Sequence, residues 1–87
     1  MSNAALDALC EHVTDLARGR QVLLDDEECA ALREFQYMGL LEMHPPDLSG
    51  DRTLCVCRHP RLFRFHFYYR WLPANLARFK PVRTYHS

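Results

Sequence analysis

The sequence predicts a small α+β domain in which two N-terminal helices pack on a three-stranded antiparallel meander, followed by a short C-terminal helical turn and a basic tail. Three observations predict this class. Apolar residues recur at helical spacing up to Met38, and they alternate with polar residues after Gly39. Aromatic residues then alternate through Arg61–Trp71. Because 87 residues suffice for one modest core, we assign residues 1–87 to a single domain.

The first helix is predicted over about residues 4–18. Its apolar stripe follows the 3.6-residue period and comprises Leu6, Leu9, Cys10, Val13 and Leu16. Ser2 or Asn3 can cap the start of this helix. Gly19 suits its end, because glycine readily adopts the left-handed conformation that helix C-termini favour.

The second helix is predicted over about residues 26–38. Asp25 at the N-cap and Glu28 three residues later match the capping-box pattern. The acidic residues of the first turn are favoured by its unpaired amides and by the helix dipole, so this acidic run has a structural explanation. Gly39 ends the helix.

Three strands are predicted, over about residues 40–44, 53–58 and 62–70. The first two alternate apolar and polar residues around a turn-rich loop and form a hairpin. If Leu54 and Val56 point inward, Cys55 and Cys57 lie on the outer face of the sheet.

The third predicted strand contains the aromatic segment. Strand alternation places four aromatic side chains on one face, which we expect to fill the core under the helices: Phe63, Phe65, Phe67 and Tyr69. The other face then forms a basic strip open to solvent. Together with Arg61 just before the strand, the C-terminal turn, which begins near Pro73, and the tail of residues 80–87, it supplies the candidate binding residues Arg61, Arg64, His66, Tyr68, Arg70, Arg78, Lys80 and Arg83.

Charge is segregated along the chain. All eleven acidic residues lie between Asp7 and Asp51, and eight of the eleven Lys and Arg residues follow Asp51. Residues 1–51 therefore carry three basic and eleven acidic groups, a net charge of −8, and residues 52–87 carry +8. Such segregation favours contact with an oppositely charged surface. We expect a partner protein with an acidic surface or a homo-oligomer.

These features predict a small non-enzymatic protein-binding module, a regulator or inhibitor that occupies the surface of a partner. The sequence contains no Gly-rich phosphate loop, G-x-S-x-G elbow or H-E-x-x-H motif, so we expect neither catalysis nor a cofactor. The alternative is a nucleic-acid-binding regulator, because arginines interleaved with aromatic rings suit a single strand. The segment "RLFRFHFYY" loosely resembles the aromatic strand of an RNA-recognition motif, but the glycines and the βαββαβ order of that motif are absent.

A second resemblance concerns Asp25–Val56. This capped helix, which runs through Gly39 into a hairpin, resembles the recognition helix and wing of a winged-helix domain. The resemblance implies DNA binding through the second helix. One helix of that fold is missing, however, and the acidic first turn would repel a phosphate backbone. DNA binding is therefore kept as part of the alternative.

The cysteines raise the question of a metal site. Cys55, Cys57 and His59 form a C-x-C-x-H cluster that His44 or His66 would complete as a four-ligand zinc site. The spacing departs from the C-x-x-C turns typical of structural zinc, so we expect free thiols and no zinc requirement. The start of the chain lacks the features of a secretory signal, and no apolar run is long enough to cross a bilayer. We therefore expect a cytoplasmic protein without a membrane partner.

Overall fold

The computed structural model describes residues 3–46 and 50–79 and has the predicted α+β class with a three-stranded antiparallel sheet. The elements in chain order are α1 (Asn3–Ala17), β1 (Val22–Leu24), α2 (Asp26–Tyr37), β2 (Leu41–His44), β3 (Thr53–Cys57), α3 (Pro60–His66), a π-helical turn (Phe67–Trp71), α4 (Leu72–Asn75) and a 3₁₀ turn (Leu76–Phe79). Within the described ranges, no helix is both long and apolar enough to span a membrane.

The sheet has the strand order β1-β3-β2. β2 and β3 form the predicted hairpin, in which Leu41 faces Cys57 across the ladder. The third strand is not the predicted segment 62–70 but β1, which pairs Val22 with Cys55 on the other side of β3. A run of three residues is too short to show strand periodicity, and β1 is stabilised as a strand by its ladder to β3.

The segment predicted as the third strand is helical. Pro60 occupies the first turn of α3, where its missing N–H and fixed φ are tolerated. Phe63, Phe67 and Trp71, spaced by four, are almost completely buried. The N–H of Leu72 donates to the carbonyl of Phe67, five residues back, and this wider π turn keeps all three rings on the core side. The prediction was wrong because the segment contains both an alternation of two and a spacing of four.

The start of α2 and the C-terminal ends of α1 and α2 are those that local sequence predicts, whereas Ser2, a candidate cap of α1, lies outside the described residues. The Asp25 carboxylate accepts the N–H of Glu28 at 2.8 Å, and the Glu28 carboxylate accepts the N–H of Asp25 at 3.0 Å, which completes the capping box of α2. Gly19 and Gly39 have φ of 82° and 79°, a region that L side chains rarely adopt. Each glycine therefore allows the turn that leads from a helix into a strand.

The core lies between the helices and one face of the sheet. Its buried residues come from α1, α2, the three strands and the C-terminal helical segment (residues 60–79). They include Leu9, Val13, Leu16, Leu32, Phe35, Phe63 and Phe67. The predicted faces of β3 are wrong: Cys55 and Cys57 are buried, whereas Leu54 and Val56 are half-buried on the opposite face. The helices cover the cysteine side of the sheet, where a small apolar thiol packs well.

Candidate functional site

The C-terminal helical segment presents a row of apolar side chains to solvent. Leu62, Phe65 and Tyr69 are 51%, 50% and 74% exposed, and their i, i+3 and i+7 spacing places them on one helical face. We call these three residues the aromatic ridge. The rings of Phe65 and Tyr69 lie 5.2 Å apart and tilted, so they form one continuous aromatic surface. Large exposed apolar groups clustered in this way mark interaction sites more often than scattered ones do.

The helical segment that carries the aromatic ridge is packed against the core. Behind it, Phe63 meets Phe35 of α2 edge to face at 5.2 Å, and Phe67 stacks on Trp71 at 5.1 Å. These contacts anchor the helical segment to the core by its opposite face. The ridge is therefore held in one orientation before any partner binds.

Arginines flank the ridge on both sides. Arg61, Arg64 and Arg70 are exposed, and none of them forms an ion pair with another residue that the structure describes. Arg64 lines a notch next to α1, and Arg70 lines a groove next to α2. Arg58, by contrast, is paired with Glu42 on β2. The positive charge beside the ridge is thus available to a partner.

The groove next to α2 is the larger of these two depressions, with a volume of about 350 Å³. Phe35 and Trp71 contribute to its apolar lining, and Glu34, His66 and Arg70 contribute charged or polar groups. Because Glu34 supplies an acidic group beside Arg70, this side of the segment carries mixed charge. The clearest excess of positive charge lies on the Arg61 and Arg64 side.

The predicted binding residues do not form the strip that strand alternation implies. Arg61, Arg64 and Arg70 are exposed as expected, but His66 is half-buried in the groove. Tyr68 packs partly against the core, with its ring 5.1 Å from that of Phe67.

The remaining predicted residues belong to the C-terminal end of the chain. Arg78 lies in the 3₁₀ turn, and its side chain is not among those described. Lys80 and Arg83 lie outside the described residues.

The aromatic ridge itself was not predicted as a surface. Phe65 and Tyr69 were expected in the core, because the assumed strand placed them on the same face as Phe63 and Phe67. The spacing of Leu62, Phe65 and Tyr69 matches one face of a helix, and this signal was present in the sequence. The alternation of aromatic residues concealed it.

Cys29, Cys55 and Cys57 are part of the hydrophobic core. Burial, with smaller contributions from the neighbouring thiols of Cys29 and Cys57, raises the pKa of the Cys55 thiol to about 12. Burial also raises the pKa of Cys57. Among the described residues, no group of three or more His, Cys, Asp or Glu side chains could hold a metal ion. His59 is exposed and lies at the N-cap of α3.

Comparison of the chain with protein-family models, curated proteins and solved structures gives no match. The surface must therefore be interpreted from its own chemistry. It combines a helix anchored to the core, three exposed apolar side chains and three arginines that have no ion pair with a described residue. Such a surface can bind a complementary macromolecule through apolar contact and charge.

Proposed function

We propose that this chain is a non-enzymatic protein-binding module that inserts its aromatic ridge into an apolar groove of a partner whose rim is acidic. A small domain that covers a partner's surface in this way acts as a regulator or inhibitor. The observation that carries the proposal is the exposed ridge of Leu62, Phe65 and Tyr69 beside exposed arginines that form no ion pair with a described residue. Helix-in-groove recognition uses anchors at this same spacing.

The residue types support a protein partner. Aromatic residues and arginine are enriched at protein–protein interfaces, and they supply most of the energetic hot spots. Tyr69 combines a large apolar ring with a hydroxyl that can remain in contact with water at the interface edge. Because the helical segment is already anchored by Phe63, Phe67 and Trp71, binding would order few additional groups.

Charge supports an acidic rim on the partner. Arg61 and Arg64 project from the same helix as the ridge and have no ion pair with a described residue. Complementary charge of this kind raises the rate of association and orients the partner more than it raises affinity. A second copy of this chain meets the charge requirement in part, since Asp7 and Glu11 are exposed on α1.

Nucleic acid remains the competing partner, because Phe65 and Tyr69 also suit stacking on bases. The winged-helix route to DNA is disfavoured by charge. The first turn of α2 carries Asp26 and Glu27, both exposed. In addition, α2 is the one helix between β1 and β2, so the second helix of a winged-helix domain is missing there. Those carboxylates would meet the phosphate backbone if α2 entered a groove of DNA.

The test uses the full chain as bait for proteins from its native host. The ridge variant carries Phe65→Ala and Tyr69→Ala, and the matched control carries Tyr37→Ala, which removes an equally exposed tyrosine from α2 outside the ridge (81% exposed). A captured protein is purified, and its affinity is measured by calorimetry. We expect the ridge variant to lose about 2 kcal/mol or more of binding free energy and the control to bind like wild type.

Three results would contradict the proposal. The first is a captured protein whose affinity is the same for wild type and the ridge variant. The second is binding of single-stranded oligonucleotides with a steep salt dependence that the ridge variant loses, which would establish the competing function. The third is a ridge-dependent dimer in sedimentation velocity with no other protein bound, which would show that the ridge serves self-association.

A further inference from the structure

A small notch lies between the end of α1 and α3, outside the aromatic ridge. Its lining comes from Thr14, Ala17 and Arg18 at the end of α1 and from Arg64 of α3, and its volume is about 110 Å³. Two arginines from separate elements therefore border one depression. Like charges placed close together repel each other unless an anion lies between them.

The described residues provide no such anion. Neither Arg18 nor Arg64 forms an ion pair with a residue in the described parts of the chain. Asp15, the acidic residue nearest in sequence to Arg18, is paired with Arg20 at 3.4 Å. Both guanidinium groups are therefore without a carboxylate partner among the described residues.

The notch is bordered by the hydrogen-bond donors of two guanidinium groups. Each guanidinium presents five N–H donors in a planar fork that matches the oxygens of phosphate. The hydroxyl proton of Thr14 is donated to the carbonyl of Cys10 at 2.9 Å, so Thr14 forms a wall and not a further donor. At the end of α1, the carbonyls of Asp15 and Leu16 accept backbone N–H groups of the Gly19 turn. These two carbonyls are therefore already hydrogen-bonded without the guanidinium of Arg18.

We infer that the notch binds the phosphoryl group of a small phosphate monoester, or free phosphate, between Arg18 and Arg64. A dianion suits two monocationic groups, and bidentate arginine contacts provide both charge and geometry. The volume is sufficient for one phosphoryl group. This inference goes beyond the proposed function, because Arg18 and Thr14 are not part of the ridge.

The experiment titrates the ¹⁵N-labelled full chain with O-phosphoserine, inorganic phosphate and acetate in separate series. Ionic strength is held constant with chloride, and serine serves as the uncharged control. We expect saturable shifts of the backbone amides at Arg18, Gly19 and Arg64 with both phosphate compounds. Weak, unsaturated shifts are expected with acetate and none with serine. Saturation by inorganic phosphate alone would identify free phosphate as the ligand.

Three variants localise the site. Arg18→Gln and Arg64→Gln should each weaken O-phosphoserine binding about tenfold, as expected for the loss of a charge-assisted contact. Arg61→Gln is the matched control, because it removes the same charge from the same helix outside the notch. Shifts that do not saturate, or an equal loss of affinity in all three variants, would show non-specific attraction and overturn the inference. If Arg64→Gln fails to fold, Arg18→Gln still tests the site. Arg18 is not among the residues assigned to ridge binding, so Arg18→Gln should leave ridge binding unchanged.

Discussion

Replacing Phe63 and Phe65 by alanine separates the helical arrangement of the C-terminal segment from a strand. In a strand, residues two apart lie on the same face, so both substitutions would remove core packing. In the structure, Phe63 is completely buried and Phe65 is 50% exposed. The two substitutions should therefore differ strongly in their effect on stability, although both remove the same side chain.

The magnitude follows from burial. Phe63 meets Phe35 edge to face at 5.2 Å, and its removal leaves a cavity beneath α2. Phe→Ala substitutions in cores cost about 3–5 kcal/mol. Phe65→Ala loses the contact with Tyr69, but alanine has the higher helix propensity, so we expect a net change within about 0.5 kcal/mol. A domain of this size has a total stability of about 4–13 kcal/mol, so the first variant loses a large part of it.

The assay is urea unfolding followed by tryptophan fluorescence. Trp71 is the single tryptophan, is 3% exposed and stacks on Phe67, so its emission reports the packing of this segment. With a slope of about 2 kcal/mol per M, the midpoint of Phe63→Ala should fall by about 2 M, and that of Phe65→Ala by no more than about 0.3 M. Equal decreases in both variants would refute the helical arrangement.

Three further outcomes are expected. Asp25→Ala removes the acceptor of the 2.8 Å bond from Glu28 and should lower the free energy of unfolding by about 1 kcal/mol in urea titration; an unchanged midpoint would show that the cap is not needed. Because the folded-state pKa of Cys55 is raised from 9.0 to about 12, its contribution to stability is complete below pH 9 and is lost as pH rises toward 12. Stability should decline over that window by up to about 1.4 kcal/mol per pH unit, and Cys55→Ala should remove this part of the decline. Incubation with a chelator should leave the thermal midpoint unchanged; a large decrease would reveal a structural metal.

Local sequence signals were sufficient for α1, α2 and the hairpin. The capping box at Asp25 and Glu28 defines where α2 begins, and Gly19 and Gly39 allow the turns at which the two helices end. These signals act through groups a few residues apart, so they do not depend on the remainder of the fold. The charge segregation was likewise evident from the sequence, and it pointed to the part of the chain on which the candidate surface lies.

The aromatic ridge forms only if residues 61–71 are a helix, and the sequence pattern of this segment fits both a strand and a helix. Between residues 61 and 71, aromatic side chains occur both at a spacing of two and at a spacing of four. Either pattern buries large rings, so local preference alone does not distinguish a strand from a helix. In the structure β1 pairs with the edge of β3 that the predicted third strand would have used. Residues 61–71 pack on the core as a helical segment instead.

The sequence by itself determined the α+β class, the start of α2, the C-terminal ends of both long helices and the uneven distribution of charge, because each follows from short-range spacing or from composition. Only the tertiary structure decided which segment completes the sheet, which face of β3 is buried and whether Phe65 and Tyr69 lie inside or outside. Those outcomes depend on which surfaces cover one another. A strand of three residues and a helix with a π turn are stabilised by their neighbours, and that information is not contained in either segment alone.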